Sequence, residues 1–172
     1  MTFTDDTQDA QDDRAHDRAE DGYARRLRTA LGSKLAILSI FVDDRQIFVD
    51  TDGLPARYVG CREIPVLEGF CKYVHDHGRQ LIVDDVRDED RIAVHPIVGE
   101  LGIEAYAGWH VTGQDGRPVG VLAALDDHPR AWSSGELLAL MELAHESGPW
   151  VREAAARSRG AADRSASSDA GH

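Results

Sequence analysis

The stretch that decides the fold is residues 103–136, IEAYAGWHVTGQDGRPVGVLAALDDHPRAWSSGE. It contains two short apolar segments, Ala105–Val111 and Val119–Leu125, on either side of the turn sequence GQDGRP. Asp-Gly between two such segments is a strong hairpin signal, because both residues tolerate the positive φ angles that tight turns require. Ser133 and Glu136 then form a capping box, the pattern that begins an α-helix. This stretch therefore predicts a β-hairpin followed directly by a helix.

The composition is that of a folded, acidic protein. The 172 residues are 42% hydrophobic, which is enough for a core, and they carry a formal net charge of −12. Such a charge disfavours nucleic acid, because phosphate binding needs clustered Lys and Arg. It also disfavours an anionic membrane surface. We expect neither nucleic acid nor a membrane among the partners of this chain.

The sequence also indicates a cellular location. The longest apolar run, Leu35–Val42, is far too short to span a membrane, and residues 1–22 lack the apolar core of a signal peptide. Two cysteines in such a chain indicate a reducing compartment and free thiols. We therefore expect a cytoplasmic protein.

The chain divides into a folded domain between two tails. Residues 1–22 are rich in Asp and poor in apolar side chains, which predicts an acidic disordered tail. Residues 158–172 are rich in Ser, Ala, Gly and Asp, which predicts a second disordered tail. The folded domain is expected to cover residues 23–157, with a break in the last helix at Gly148-Pro149.

Local patterns within that domain alternate between helix and strand. The expected elements are a helix from Tyr23 to near Gly32, a hairpin of Leu35–Val42 and Gln46–Val49, a short strand at Glu63–Val66, an amphipathic helix Phe70–His77 ended by Gly78, a short strand Leu81–Val83, a brief helix His95–Leu101, the hairpin of residues 105–125 and the final helix from Ser133. This order predicts an α+β fold with a mostly antiparallel sheet.

Six motifs follow one another in the order found in a known family. They are DDRQIF (43–48), IPVLEGFCKYV (64–74), LIVDDVRDEDRIAVHPIV (81–98), GIEAYAGWHV (102–111), DGRPVGVL (115–122) and DDHPRAW (126–132). Together they resemble the GAF domain, the small-molecule-sensing module of phytochromes and many bacterial signalling proteins. The resemblance implies a central antiparallel sheet with terminal helices on one face and a ligand cavity on the other. It also implies a homodimer, because the terminal helices of the family commonly pair between protomers.

The resemblance further selects candidate ligand-binding residues, namely Phe70, Cys71, Tyr106, Trp109 and His110. Phe70, Tyr106 and Trp109 are aromatic and could stack on a planar ligand. Alternatively, the large ring of Trp109 fills the cavity and leaves a ligand-free scaffold for protein–protein contact. The pattern predicts no metal site and identifies no particular cofactor.

Cys61 and Cys71 favour a different function. The segment CREIPVLEGFC (61–71) resembles two of the three cysteines of the free methionine sulfoxide reductases, which are single-domain GAF enzymes. Cys71 lies near a predicted helix N-terminus, which can lower the pKa of a thiol. The third cysteine is missing, because the corresponding region reads Ile92–His95, and the substrate-binding carboxylates are replaced by Tyr106 and Ala123–Leu125. A thiol-based redox enzyme or sensor therefore remains the alternative, and we expect no enzymatic activity.

The sequence thus predicts a stand-alone sensory or regulatory module. It would bind an unidentified small molecule and signal through contacts within a homodimer or with a signalling protein partner.

Overall fold

The computed structural model describes residues 22–58, 63–65, 69–90 and 96–169. The predicted N-terminal tail up to residue 21 and Cys61 lie outside these described residues. The helices are α1 (Tyr23–Leu31), α2 (Phe70–His77), α3 (Pro96–Leu101), α4 (Ser134–Glu146) and α5 (Gly148–Asp169). The strands are β1 (Leu35–Val42), β2 (Arg45–Asp52), β3 (Glu63–Pro65), β4 (Leu81–Val83), β5 (Ala105–Thr112) and β6 (Pro118–Asp126), and short 3-10 turns lie at Ala56–Tyr58 and Val86–Asp88.

The six strands form one antiparallel sheet in the order β3-β2-β1-β6-β5-β4. The predicted hairpins β1–β2 and β5–β6 are both present, and the second turns through Gly116 with a φ of 77°. The two hairpins join at the centre, where Leu35 of β1 lies opposite Leu125 of β6. The predicted α+β fold and antiparallel sheet are therefore confirmed.

Each face of the sheet carries its own apolar core. On one face, α1, α4 and α5 pack against the strands and form what we call the helix-side core, which includes Leu27, Leu38, Leu122, Leu140 and Val151. On the opposite face, α2 and α3 cover the inner core, whose members include Ile37, Phe70, Val98, Tyr106 and Val121. Side chains alternate between the faces of a strand, so β1 and β6 contribute to both cores. The terminal helices share one face, as the family resemblance implied.

The segment DDHPRAW holds several elements together through Arg130. Its guanidinium donates to the buried carboxylate of Asp126 at 2.9 Å, to the carbonyl of Leu31 at 2.9 Å and to Glu136. It also lies over the ring of Trp132, 4.3 Å from the centroid. Arg130 thereby connects the end of α1, the end of β6 and the first turn of α4, where Ser133 and Glu136 form the predicted capping box.

The structure differs from the prediction at the C-terminal end. We expected disorder from residue 158, but α5 continues without interruption to Asp169. Pro149 lies in the first turn of this helix, a position that proline tolerates, and Val151, Ala154 and Ala155 anchor the helix in the helix-side core. The exposed second half then continues the helix, although Gly160 and several Ser residues there have low helix propensity. Among the described residues, each helix is too short or too polar to cross a membrane.

Candidate ligand site between the sheet and helix α2

Helix α2 places two of the predicted site residues against the inner face of the sheet. Its sequence is amphipathic, so Phe70 and Val74 are buried while the intervening residues are more exposed. Gly78 ends the helix in the left-handed conformation, with its N–H donating to the carbonyl of Val74 at 3.0 Å. Cys71 lies in the first turn and is half-buried against the inner core.

Phe70, Cys71 and Tyr106, three of the predicted ligand-binding residues, lie together in the structure. The rings of Phe70 and Tyr106 are 5.0 Å apart, and the Cys71 Sγ lies 3.2 Å from the Tyr106 hydroxyl. The side chain of Tyr106 is almost fully buried, with 1% of the residue exposed. It lies across Gly108, where an added Cβ would be only 2.3 Å from the Tyr106 oxygen. The glycine thus provides the space that the tyrosine ring occupies.

A row of polar groups continues from this contact along the inner face of β1 and β2. The amide of Gln46 donates to the Ser39 hydroxyl at 3.0 Å, and the Gln46 side chain is near enough to the Cys71 thiol to oppose the rise of its pKa. Ser39 is fully buried and Gln46 nearly so. Ser39, Gln46, Cys71 and Tyr106, which we call the polar row, therefore lie within a face that is otherwise apolar. Small-molecule sites have this character, an apolar lining with a few convergent polar groups.

Burial controls the ionisation of the polar row. Desolvation raises the pKa of the Cys71 thiol, although hydrogen bonds from Tyr106 and Gln46 act in the opposite direction. It also raises the pKa of Tyr106 well above its ordinary value, with a smaller contribution from Cys71. The expected lowering of the Cys71 pKa at the start of α2 is therefore wrong, because burial outweighs the field of one short helix. Both groups carry their protons at neutral pH.

Trp109 and His110, the other two predicted ligand-binding residues, lie apart from the cluster of Phe70, Cys71 and Tyr106. Neighbouring residues of β5 point to opposite faces, and Trp109 packs against the helix-side core, away from Tyr106. His110 follows Tyr106 and Gly108 on the inner side, beyond the part of β5 that pairs with β4. Its Nδ1 is buried without a hydrogen-bond partner among the described residues, and burial lowers its pKa. The ring of Trp109 therefore does not fill the space beside Phe70 and Cys71.

A family model for the GAF domain matches residues 21–148, which is most of the chain. The chain belongs to the GAF domain family. Solved structures agree: the GAF domain of a phosphoenolpyruvate-protein phosphotransferase from Acinetobacter superposes with a TM-score of 0.68 at 16% identity, covering 89% of this chain and 97% of that one. The GAF domain of a phosphoenolpyruvate-protein phosphotransferase from Coxiella burnetii superposes with a TM-score of 0.67 at 23% identity, covering 90% of this chain and 93% of that one.

An enzyme shares the same fold. The free methionine-R-sulfoxide reductase of Neisseria meningitidis, solved in complex with its substrate, superposes with a TM-score of 0.57 at 22% identity, covering 92% of this chain and 98% of that one. At such identities the likeness shows the fold alone. No curated protein matches the chain in sequence.

Two members of the polar row of this GAF domain were missed from the sequence. Ser39 is the one polar residue within the strand sequence LAILSIFV of β1, and Gln46 is the one buried residue of β2. A polar residue inside a buried apolar run needs a partner, so Ser39 was itself a usable signal. The partner was not evident, because the placement of Ser39 beside Gln46, and of both near Cys71, depends on the sheet register and the position of α2.

Other polar clusters of the domain are engaged in structural contacts. Asp126, Asp127 and His128 bring ligand-type atoms within 4.8 Å of one another, but Arg130 binds the first carboxylate and Lys34 the second, at 2.7 Å. The histidines of α2 are separated, since His75 stacks on Phe41 and His77 stacks on Tyr73. These contacts account for the clusters without a bound ion.

Proposed function

We propose that this GAF domain is a sensory or regulatory module that binds a small molecule between the sheet and helix α2. The observation that carries the proposal is the polar row of Ser39, Gln46, Cys71 and Tyr106 inside an otherwise apolar core. It lies on the face opposite the terminal helices, so a ligand there would not compete with the packing of α1, α4 and α5.

The chemistry of the row indicates the class of ligand. Its groups are a hydroxyl, a carboxamide, a thiol and a phenol, and the raised pKa values of Cys71 and Tyr106 keep the last two neutral. All four can donate or accept hydrogen bonds, and none compensates a full charge. We therefore propose a neutral ligand with an apolar body and hydrogen-bonding groups at one edge, in contact with the rings of Phe70 and Tyr106.

The output would use the terminal helices. A ligand shifts a conformational equilibrium only through different affinities for its states, so binding at the inner core must alter how the sheet packs against the helix-side core. Helix α4 exposes Leu138 and Met141, at 51% and 37% of their surface, which supports a contact with a second copy or with a signalling partner. Sedimentation over micromolar concentrations tests the homodimer, which a purely monomeric protein would contradict.

The first experiment is native mass spectrometry of freshly purified, reduced protein. Excess mass that leaves on denaturation, and that is lost or weakened in Tyr106→Phe, would support the proposal. Tyr23→Phe is the matched control, because it removes a phenol hydroxyl from the helix-side face, where Tyr23 reaches the carbonyl of Glu146 at 3.4 Å. Excess mass that survives Tyr106→Phe and Cys71→Ser unchanged would place the ligand elsewhere.

A thiol-based redox enzyme or sensor is the second candidate. The hydrogen bond between Tyr106 and Cys71 favours it, because this bond by itself acts to lower the pKa of the thiol. The raised pKa of Cys71 weighs against it, because the thiolate is the reactive form. We therefore propose no enzymatic role. An NADPH-coupled assay with free methionine sulfoxide separates the two functions, since turnover that disappears in Cys71→Ser would favour the enzyme.

The third possibility, a ligand-free interaction scaffold, rested on Trp109 filling the cavity. Because Trp109 packs on the other face, that interpretation now depends on the buried ring of Tyr106. If Tyr106→Ala gains binding that the wild type lacks, the scaffold is favoured.

A further inference from the structure

Strand β2 lies at a sheet edge and contributes side chains to both cores. In the part of the chain that the structure describes, β3 pairs with residues 45–47, and β2 beyond Ile47 is a sheet edge. Phe48 at this edge packs into the inner core, whereas Val49 packs into the helix-side core. A groove of about 680 Å³ follows the edge, and α5 forms its opposite wall between Trp150 and Ala161.

Tyr58 lies in the turn that follows this edge and contacts two regions. Tyr58 lines the groove together with Ala154 and Ala161 of α5. Its hydroxyl donates to the Glu100 carboxylate of α3 at 2.6 Å. The adjacent Arg57 donates to the carbonyl of Glu100 at 3.1 Å, and its guanidinium lies 4.9 Å from the centroid of the Tyr58 ring. We call Arg57, Tyr58 and Glu100 the Tyr58 latch.

Helix α3 is the element that the latch holds over the inner core. It has six residues and would not be stable alone, because helices of that length do not offset the cost of nucleation. Val98 is buried in the inner core, which also contains Phe70. The partly buried side chains of Leu101 and Cys71 pack against this core. The two bonds to Glu100 tie the exposed side of α3 to the turn after β2. Release of these bonds would therefore loosen the cover of the candidate site.

We propose that the Tyr58 latch closes α3 over the candidate ligand site, and that its opening widens the groove that Tyr58 and α5 line together. In the closed state, the hydroxyl of Tyr58 is bound to Glu100 and its ring is fixed in the groove. In the open state, α3 moves from the inner core, the bond to Glu100 breaks, and Tyr58 moves away from the groove that it lines together with α5. A ligand that prefers one state shifts the balance between them. This inference rests on the proposed function, because it assigns the regulation of the same site.

The test uses the thiol of Cys71 as a reporter of opening. The sequence has two cysteines, so Cys61→Ser leaves Cys71 as the single thiol of the whole chain. In this background, Tyr58→Phe retains the ring but removes its bond to Glu100, and Glu100→Gln weakens the same bond. The alkylation rate of Cys71 by N-ethylmaleimide should rise about three- to tenfold in both variants, the scale of one lost charge-assisted hydrogen bond at a partly exposed site. Tyr23→Phe, on the helix-side face, should leave the rate unchanged.

A second measurement follows the widening of the groove beside α5. Hydrogen exchange of the amides between Ala154 and Ala161 should accelerate in the two latch variants and not in the Tyr23→Phe control. Faster alkylation together with faster exchange supports the proposal. Unchanged alkylation in both variants overturns the latch, and unchanged exchange with faster alkylation overturns the widening of the groove. Neither measurement uses the ligand, so the native mass of the wild-type protein decides the proposed function separately.

Discussion

The close approach of Gly108 to Tyr106 allows a steric test of the candidate site. A Cβ added at Gly108 would lie 2.3 Å from the Tyr106 oxygen and 2.7 Å from its Cζ, well inside normal contact distance. The ring cannot turn away freely, because it is buried and in contact with Phe70 and Cys71. We expect Gly108→Ala to lower the free energy of unfolding by about 1–3 kcal/mol, the usual cost of overpacking a core.

The assay is urea unfolding in a double-mutant cycle with Tyr106→Leu. Leucine lacks the ring atoms that clash, so Gly108→Ala should cost little in that background, giving a coupling energy of about 1–3 kcal/mol. Gly135→Ala is the control, because nothing lies within 4 Å of a Cβ there, and alanine is the better helix former by up to about 1 kcal/mol. A wild-type urea midpoint for Gly108→Ala, or the same loss with and without the ring, would refute the steric argument.

Three further predictions concern other parts of the domain. Arg130→Ala should lower the free energy of unfolding by about 3–5 kcal/mol, because the buried carboxylate of Asp126 loses its arginine partner. Arg87→Ala should change it by less than about 0.5 kcal/mol, since the ion pair of Arg87 is on the surface, and equal urea midpoints of the two variants would contradict this. In Cys61→Ser protein, the pH profile of Cys71 alkylation should have its midpoint above an ordinary thiol pKa of about 8.5, because burial raises the pKa of this thiol. The free energy of unfolding should also fall as the pH rises through about 8.5, because the folded protein keeps this proton up to a higher pH than the unfolded chain does. An alkylation midpoint at or below about 8.5 would disprove the effect of burial. Trp109→Ala should cost up to about 3 kcal/mol but leave any ligand mass in the native spectrum unchanged, since its ring faces the helix-side core; loss of that mass from a folded variant would return Trp109 to the site.

Local chemistry made much of the fold predictable. The Asp115-Gly116 turn, the capping box at Ser133 and the left-handed Gly78 each depend on a few neighbouring residues, so they mark element ends without knowledge of the tertiary structure. Within the candidate site, the burial of Phe70 was predictable from the amphipathic pattern of α2, and that of Tyr106 from its place in the apolar segment of β5.

The remaining features depend on contacts between distant segments. Tyr106 and Trp109 are three residues apart, so strand alternation alone would have separated them, and that signal was overlooked. The bond between Tyr58 and Glu100 joins residues 42 positions apart, and no local pattern indicates it. The extension of α5 beyond residue 158 likewise depends on the anchored first half of the helix.

The pairing of β1 with β6 has a consequence for synthesis. All eight residues of β1 are buried, and its central neighbour is a strand that begins only at Pro118. At translation rates of about 5–20 residues per second, β1 and β2 wait several seconds as an unprotected hairpin, which is marginally stable by itself. The nascent chain therefore exposes the sequence LAILSIFV throughout that interval. We expect this strand to be the principal site of chaperone binding and of aggregation during expression.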